Sequence, residues 1–237
     1  MSHMISSYRI VYQSSDRQHA GSDPPACSSI DLNANPGLLG PYACMVIGGH
    51  DEYWTRAMRE HTQRFVGNGG NLIVLSGNTA YRAVRLEDNN TRVVFHKYPS
   101  GDPNPKNEDA TVAWADPPLC NPPNVLFGAG WTHGAFGATN GSAFYTLRFP
   151  SHWVFAGVAP TRQTSAFMSY ETDAAAYIDE PEGYPRVTGE DGSPRIRDLA
   201  SEVDRKRSKC NAGGVCIHRR PNPHGTASQT RRGNQPR

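Results

Sequence analysis

Two short apolar segments that flank one amphipathic helix constrain the fold of this chain more than any other feature. The first runs from Ala43 to Ile47 and the second from Leu72 to Leu75, and each is followed by glycine and polar side chains. Residues 55–67, between them, have apolar side chains at helical spacing and end in a glycine-rich stop signal. We therefore predict a parallel strand–helix–strand unit within an open α/β sheet.

The polar residues that follow the two predicted strands mark a candidate site, because the carboxyl ends of parallel strands meet at one edge of a sheet. His50, Asp51, Glu52 and Tyr53 follow the first strand, and residues 76–79 follow the second. The two acids either line a crevice or only cap the coming helix, whose dipole favours anions at its N-terminus. The histidine is suited to general acid–base catalysis near neutral pH.

The second polar segment argues against a covalent mechanism. A nucleophile elbow would place Ser or Cys between glycines at this point, whereas Asn78 occupies the position and no cysteine is nearby. Asn78 is then either a hydrogen-bond donor to an oxyanion or substrate, or simply a turn residue after Gly77.

Composition limits the class of protein. The 237 residues contain no apolar run of about 18 or more, so we expect no transmembrane helix. The five cysteines show no regular spacing, and Cys210 and Cys216 with His218 fit no structural zinc pattern. A reducing, cytoplasmic location is therefore the default expectation.

A change in composition near residue 178 predicts two parts. Residues 5–178 carry the apolar pattern of an α/β domain with a β-rich second half, in which Trp153 is expected in the core. His133 either reaches the site from a loop or has a structural role. Strands are predicted over residues 8–12, 92–98, 143–149, 152–156 and 166–170.

Residues 179–237 are predicted to form a disordered, basic extension. From residue 195 to the end, eleven Lys and Arg face three Asp and Glu, a balance of +8. Because the whole chain carries +2, the preceding 194 residues carry −6. Interleaved aromatic residues are missing, which favours a solvated tail over a nucleic-acid contact. Sequence foreign to the native domain is a third interpretation.

Several motifs occur in a fixed order over roughly residues 8–175. They are Gly-Gly-His-Asp-Glu-Tyr-Trp at 48–54, Met-Arg at 58–59, Gly-Gly-Asn-Leu at 69–72, Ser-Gly-Asn-Thr-Ala-Tyr at 76–81, Phe-Gly at 127–128 with Gly130, His-Trp-Val-Phe-Ala-Gly at 152–157 and Tyr-Glu-Thr-Asp at 170–173. In this order they resemble the C-terminal domain of the N,N-dimethylformamidase large (beta) subunit and related uncharacterised proteins. One departure is Arg82, which follows Tyr81 where relatives commonly have tryptophan.

The resemblance implies a class I glutamine-amidotransferase-like (flavodoxin-like) layered α/β sheet. It also implies hydrolysis of a small amide at a mononuclear iron held by tyrosines and a glutamate, and we expect Tyr53, Tyr81 and Glu171 to be these ligands. Phenolate and carboxylate oxygens are hard donors that suit ferric iron. Water activated by the iron would attack the amide carbonyl, with His50 as base. Glu52 and Asn78 complete the expected catalytic set.

The resemblance further implies a second subunit or a homo-oligomer as partner, and we expect neither a membrane nor a nucleic-acid partner. The alternative function is a non-catalytic binding or scaffold domain of the same fold. The two functions differ in whether the tyrosines and a carboxylate converge within ligand distance.

Overall fold

The computed structural model describes residues 7–11, 26–98, 101–103, 107–136, 146–147, 150–157, 171–179, 185–193, 200–204 and 209–211. The helices in these segments are α1 (Ser29–Ala34), α2 (Arg56–Gly67) and α3 (Asn124–Phe127). The strands are β1 (Ser7–Val11), β2 (Ala26–Ser28), β3 (Cys44–Gly48), β4 (Tyr53–Trp54), β5 (Asn71–Leu75), β6 (Arg82–Ala83), β7 (Arg85–Glu87), β8 (Arg92–Val94), β9 (Gly130–Phe136), β10 (Thr146–Leu147), β11 (Glu171–Ala174), β12 (Tyr177–Asp179), β13 (Pro185–Val187), β14 (Ala200–Asp204) and β15 (Lys209–Asn211).

A four-stranded sheet in the order β2-β1-β3-β5 forms the centre of the fold. Strand β1 runs antiparallel to both β2 and β3, whereas β3 and β5 are parallel, with Cys44 opposite Asn71 and Gly48 opposite Leu75. Helix α2 makes the connection between the two parallel strands. The predicted strand–helix–strand unit is therefore confirmed.

Helix α2 begins and ends where its sequence provides the required groups. The hydroxyl of Thr55 accepts a hydrogen bond from the backbone N–H of Met58, which satisfies one of the otherwise free donors of the first turn. Met58 and Phe65 lie on the buried face, and full burial of each such side chain stabilises the fold by about 1.5–3 kcal/mol. At the C-terminal end, Gly70 allows the chain to pass the Phe65 ring, since a Cβ there would lie 2.3 Å from Cζ.

The core lies between the central sheet and the three helices. Met45, Ile47 and Leu72 from the sheet are almost fully buried, as is Leu32 of α1. Across from them, the rings of Trp54 and Phe127 meet edge to face with centroids 5.4 Å apart. Helix α3 is thereby fixed against the residues that follow β3.

The expectation of a class I glutamine-amidotransferase-like, flavodoxin-like layered sheet is wrong. Beyond the central sheet, the described strands form separate small sheets, β4–β6, β7–β8, β9–β11, β12–β13 and β10–β14–β15. A doubly wound layer requires repeated helical crossovers between parallel strands. The described residues provide this once, through α2, and most strands after Leu75 are only two to five residues long.

The outcomes for the other predicted strands are mixed. The strand predicted over residues 8–12 is confirmed by β1, which covers Ser7–Val11, and residue 12 lies outside the described part of the chain. Of residues 92–98, only Arg92–Val94 forms a strand; of residues 143–149, the structure describes Thr146–Leu147, which forms one. Residues 166–170 lie outside the described part of the chain.

The strand predicted over residues 152–156 is wrong. Trp153–Phe155 forms a 3₁₀ turn, held by hydrogen bonds from Phe155 N to His152 O and from Ala156 N to Trp153 O. Trp153 is 60% exposed and is not a core residue. Apolar content alone did not distinguish a short turn from a strand.

Within residues 179–237 the described positions include β13, β14 and β15, so this segment is not uniformly without secondary structure. The division of the chain at residue 178 stays a prediction. No helix in the described part of the chain is both long and apolar enough to cross a membrane.

Candidate functional site

The loops after β3 and β5 run side by side at the carboxyl edge of the central sheet. Gly49, with a φ of 87°, turns the chain out of β3, and its N–H donates to Leu75 O at 3.2 Å. The N–H of Ala80 then donates to Asp51 O at 2.8 Å, and that of Arg82 to Glu52 O at 2.9 Å. The short parallel pair β4–β6 continues this alignment, so the two polar segments predicted to form a site are neighbours.

Strand β11 approaches the same edge because Gly77 has no side chain. A Cβ at Gly77 would lie 2.2 Å from the carbonyl oxygen of Glu171, a distance that no larger residue could accommodate without a backbone shift. Alternation along β11 places the Glu171 and Asp173 side chains on one face. Two carboxylates from a distant part of the sequence therefore reach the loops that follow β3 and β5.

Asp173 fixes the loop that follows β5. Its Oδ1 accepts a hydrogen bond from Asn78 N at 2.7 Å, and its Oδ2 accepts one from Thr79 N at 3.0 Å. These bonds hold Asn78 in a left-handed conformation, with a φ of 55°. Burial raises the pKa of Asp173 to about 6, although the two backbone hydrogen bonds act in the opposite direction.

His50 lies between two glutamates. Its Nδ1 is 2.8 Å from Glu171 Oε2, and its Nε2 is 3.4 Å from Glu52 Oε2. The carboxylates are mostly buried, while about a third of the imidazole is exposed. A carboxylate at Nδ1 orients the ring and leaves Nε2 as the nitrogen available for proton transfer.

Asn78 contributes its amide group to the same place. Its Nδ2 donates to Glu171 Oε1 over a long 3.4 Å contact. Its Oδ1 is buried and has no hydrogen-bond partner among the described residues. A weakly engaged amide in a polar site can exchange its present contact for one to a ligand.

Tyr53 belongs to this group of side chains as well. Burial raises its pKa, and the charge of Glu52, a hydrogen bond to Glu52 and the charge of Glu171 act in the same direction, whereas Arg82 opposes them. Its ring packs edge to face on Phe95, with centroids 5.4 Å apart. We call His50, Glu52, Tyr53, Asn78 and Glu171 the edge cluster.

The described contacts of Tyr81 are with other residues. Tyr81 lines an open cleft together with Asp116, Trp131 and Phe136, and no member of the edge cluster is among the described walls of that cleft. The guanidinium of Arg82 lies 4.5 Å from the centroid of the Tyr81 ring. The structure thus brings together five of the six residues nominated from the sequence. The sixth, Tyr81, has no described contact with that group.

The helix-cap interpretation of the two acids is wrong. Helix α2 is capped by Thr55, and its first turn contains no acidic residue. Asp51 is almost fully buried before the helix begins, and Glu52 faces His50.

Asp173 is the residue at this edge that the sequence did not single out, because it was noted only as part of a motif. A signal for it was present, since a Glu-x-Asp alternation in a short strand directs both acids to one face.

His133 lies on β9, with Nε2 3.5 Å from Asp191 Oδ2, which favours the structural alternative for this histidine. Among the described residues, no group of three or more His, Cys, Asp and Glu side chains is arranged to hold a metal ion.

The comparisons with known proteins agree with the motifs at this site. A family model described as "N,N-dimethylformamidase beta subunit-like, C-terminal" matches residues 17–222, which is most of the chain. A search of the curated proteins finds no match. The matched range contains every residue of the edge cluster as well as Asp173. The chain belongs to the N,N-dimethylformamidase beta subunit-like, C-terminal family.

Proposed function

We propose that this chain is a hydrolase domain that cleaves the C–N bond of a small amide at the edge cluster. The observation that carries the proposal is the position of His50, which lies 2.8 Å from one carboxylate and 3.4 Å from another beside the amide of Asn78. A base, a group that orients it and a nearby hydrogen-bond donor are the parts that amide hydrolysis requires. The family name supports the choice of an amide substrate.

Each polar side chain of the edge cluster has a role in this scheme. His50 Nε2 accepts a proton from the attacking water, while Glu171 holds the ring through Nδ1. Asn78 Nδ2 donates to the carbonyl oxygen of the amide as negative charge develops on it. The proton on His50 then passes to the leaving nitrogen, so that the products are a carboxylic acid and an amine, which at neutral pH separate as a carboxylate and an alkylammonium ion.

The donor chemistry of the edge cluster fits a hard metal ion such as ferric iron. Glu52, Tyr53 and Glu171 provide oxygen donors at one place, as such an ion prefers. A bound ferric ion would supply a Lewis acid that polarises the amide carbonyl. Because the described histidines and acids do not form a metal-binding group by themselves, the proposal requires a tyrosine among the ligands. Tyr81 stays a predicted ligand.

Metal analysis of protein purified without chelator tests this part of the proposal. We expect iron in the wild type, accompanied by a visible ferric–phenolate absorption band. Tyr53→Phe should weaken the band, and it should abolish the band if Tyr53 is the one phenolate ligand; a further loss in Tyr81→Phe would identify the second tyrosine as a ligand. Tyr98→Phe, which changes an exposed tyrosine, is the matched control. Protein that contains no metal and shows no band would rule out the ferric site.

Hydrolysis of N,N-dimethylformamide, followed as formate release, tests the reaction. Loss of a general base typically slows catalysis by about 10²- to 10⁴-fold, and we expect this range for His50→Ala. The control is His61→Gln, because the His61 ring contacts Leu32 O on α1 and not the edge cluster. Equal rates in the two variants would exclude His50 from catalysis.

We propose in addition that the domain works in an assembly with a second subunit or further copies of itself, since the family is named after a beta subunit. Light scattering after gel filtration tests this. A monomer at all concentrations, with full activity, would contradict it.

The alternative of a non-catalytic domain would be supported by absence of metal and of hydrolysis together.

A further inference from the structure

A second ligand site is suggested by the cleft beside the edge cluster. The cleft has a volume of about 540 Å³, and its described walls include the side chains of Tyr81, Asp116, Trp131, Thr132 and Phe136. A concave surface with aromatic walls and a few polar groups is typical of a small-molecule site. Of these residues, only Tyr81 also has a predicted role in the proposed hydrolysis.

Two aromatic rings form one wall of the cleft. Trp131 and Phe136 meet edge to face on β9, with centroids 5.0 Å apart and ring planes at 68°. Phe136 is 60% exposed despite its size. Aromatic faces carry negative electrostatic potential and attract cations. The Arg82 guanidinium, stacked on the Tyr81 ring, shows that an aromatic ring at this place already holds a positive group.

The charged wall residue of the cleft is negative, which favours a cationic ligand. Asp116 is the charged side chain among the described walls, and it forms no ion pair with another described residue. Phe136 is the antiparallel partner of Glu171, so the carboxylate of Glu171 lies on the same face of the β9–β11 sheet as the Phe136 ring. The guanidinium of Arg82 lies over the ring of Tyr81, which is one of the cleft walls. An anionic ligand would be repelled here, and a neutral apolar ligand would gain nothing from Asp116.

We propose that this cleft binds a small alkylammonium cation, with Trp131 and Phe136 contacting its alkyl groups and Asp116 balancing its charge. Cation binding does not depend on the proposed hydrolysis. Only one consequence rests on that function: amide cleavage with water yields a carboxylic acid and an amine, and at neutral pH the acid gives up its proton while the alkylamine takes one up. The cleft would then receive the amine product beside the site where it forms.

Calorimetric titration of the full chain with choline tests cation binding, with 3,3-dimethylbutan-1-ol as an uncharged probe of the same shape. We expect choline to bind in the millimolar range and about 5- to 10-fold more tightly than the alcohol, which matches a cation–π contribution of about 1–1.4 kcal/mol. Equal affinity for the two probes would overturn the proposal, since it would indicate an apolar cleft without charge preference. The measurement needs neither metal nor turnover, so inactivity and failure of cation binding are separate results.

Variants of the cleft locate the bound cation. Trp131→Leu should weaken choline binding about 5-fold or more, whereas Trp153→Leu, which removes an exposed tryptophan outside the cleft, should leave it unchanged. Asp116→Asn should weaken binding about two- to threefold at low salt, with Asp179→Asn as the charge-matched control. Because Asp116 is exposed, this variant keeps the test valid if Trp131→Leu does not fold. Unchanged binding in both cleft variants would overturn the proposal.

Discussion

The edge cluster and the buried Arg59 of helix α2 hold charged side chains in opposite ways. In the edge cluster, ionisable groups contact one another, and Asp173 fixes the loop beneath them. Arg59 is only 1% exposed, yet its Nη2 donates to neutral acceptors, Asn121 Oδ1 at 3.0 Å and Pro122 O at 2.6 Å. Its guanidinium lies 4.8 Å from the centroid of the Trp114 ring.

The two arrangements have different consequences for substitution. Nε and Nη1 of Arg59 have no hydrogen-bond partner among the described residues, and burial lowers the pKa of this guanidinium to about 10. Burial of this charge therefore costs folding free energy, which the favourable packing around it offsets. In the edge cluster each charged group supports another, so the loss of one should disturb the rest. Polar groups that depend on one another indicate a site, whereas Arg59 indicates a structural link between α2 and the segment at residues 121–122.

Asp173→Ala should give the largest loss of stability. It leaves the backbone N–H groups of Asn78 and Thr79 without their acceptor, and two hydrogen bonds to a charged group contribute about 3–5 kcal/mol together. Urea unfolding measures the change in free energy. A loss below about 1 kcal/mol would mean that Asp173 does not hold this loop.

The pH dependence of stability should identify the same carboxyl group. The folded-state pKa of Asp173, about 6, is above the ordinary value of 3.8, so its protonated form is favoured on folding. This contribution is fully present well below pH 3.8 and is lost as the pH rises through 6, which amounts to about 2.4 kcal/mol between pH 4 and pH 7. Urea unfolding of metal-stripped wild type and Asp173→Asn at both pH values measures it. A constant difference between the two proteins would contradict the assignment.

Gly77→Ala should separate β11 from the loop that follows β5. The added methyl group meets the Glu171 carbonyl, and a clash in a packed region costs about 1–3 kcal/mol. The control is Gly67→Ala, because a Cβ at Gly67 has no atom within 4 Å, and this change should be neutral or stabilise by up to about 1 kcal/mol. Thermal unfolding compares the pair. Equal stability of the two variants would mean that β11 does not approach Gly77 so closely.

Arg59→Met should have the smallest effect. An apolar side chain of similar length removes the buried charge and keeps the contact with Trp114, so we expect a change within about 1 kcal/mol and no loss of hydrolysis. Arg59→Ala should be about 2 kcal/mol less stable than Arg59→Met because it leaves a cavity. A large loss in Arg59→Met would show that the guanidinium charge itself is required, and the contrast between the two regions would fail.

Local features of the fold could be predicted from the sequence. The apolar runs and the glycine-rich stop predicted β3, α2 and β5. The polar residues after both strands correctly predicted that the candidate site lies at the carboxyl edge of the central sheet. The layered α/β sheet was a wrong prediction. It was implied by the family resemblance alone, and the described part of the chain has a single helical crossover between parallel strands. Trp153 was misplaced because an apolar triplet fits a strand or a turn equally well.

The assembly of the site was only partly visible in the sequence. His50, Glu52 and Asn78 follow the strands whose ends they mark, so their proximity was expected. Glu171 lies 93 residues after Asn78, and no local pattern encodes the approach of β11. That approach depends on Gly77 and on the pairing of β11 with β9, both of which are tertiary features.

The rate of N,N-dimethylformamide hydrolysis by Glu171→Gln is the most direct measurement of whether the edge cluster is a catalytic site. Glu171 contacts both His50 and Asn78, and it joins β11 to the loops that follow β3 and β5. We expect kcat to fall about 100-fold or more with far-UV circular dichroism unchanged, while Glu190→Gln, at an exposed position outside the site, keeps the wild-type rate. Wild-type activity in Glu171→Gln would contradict a catalytic site at this edge.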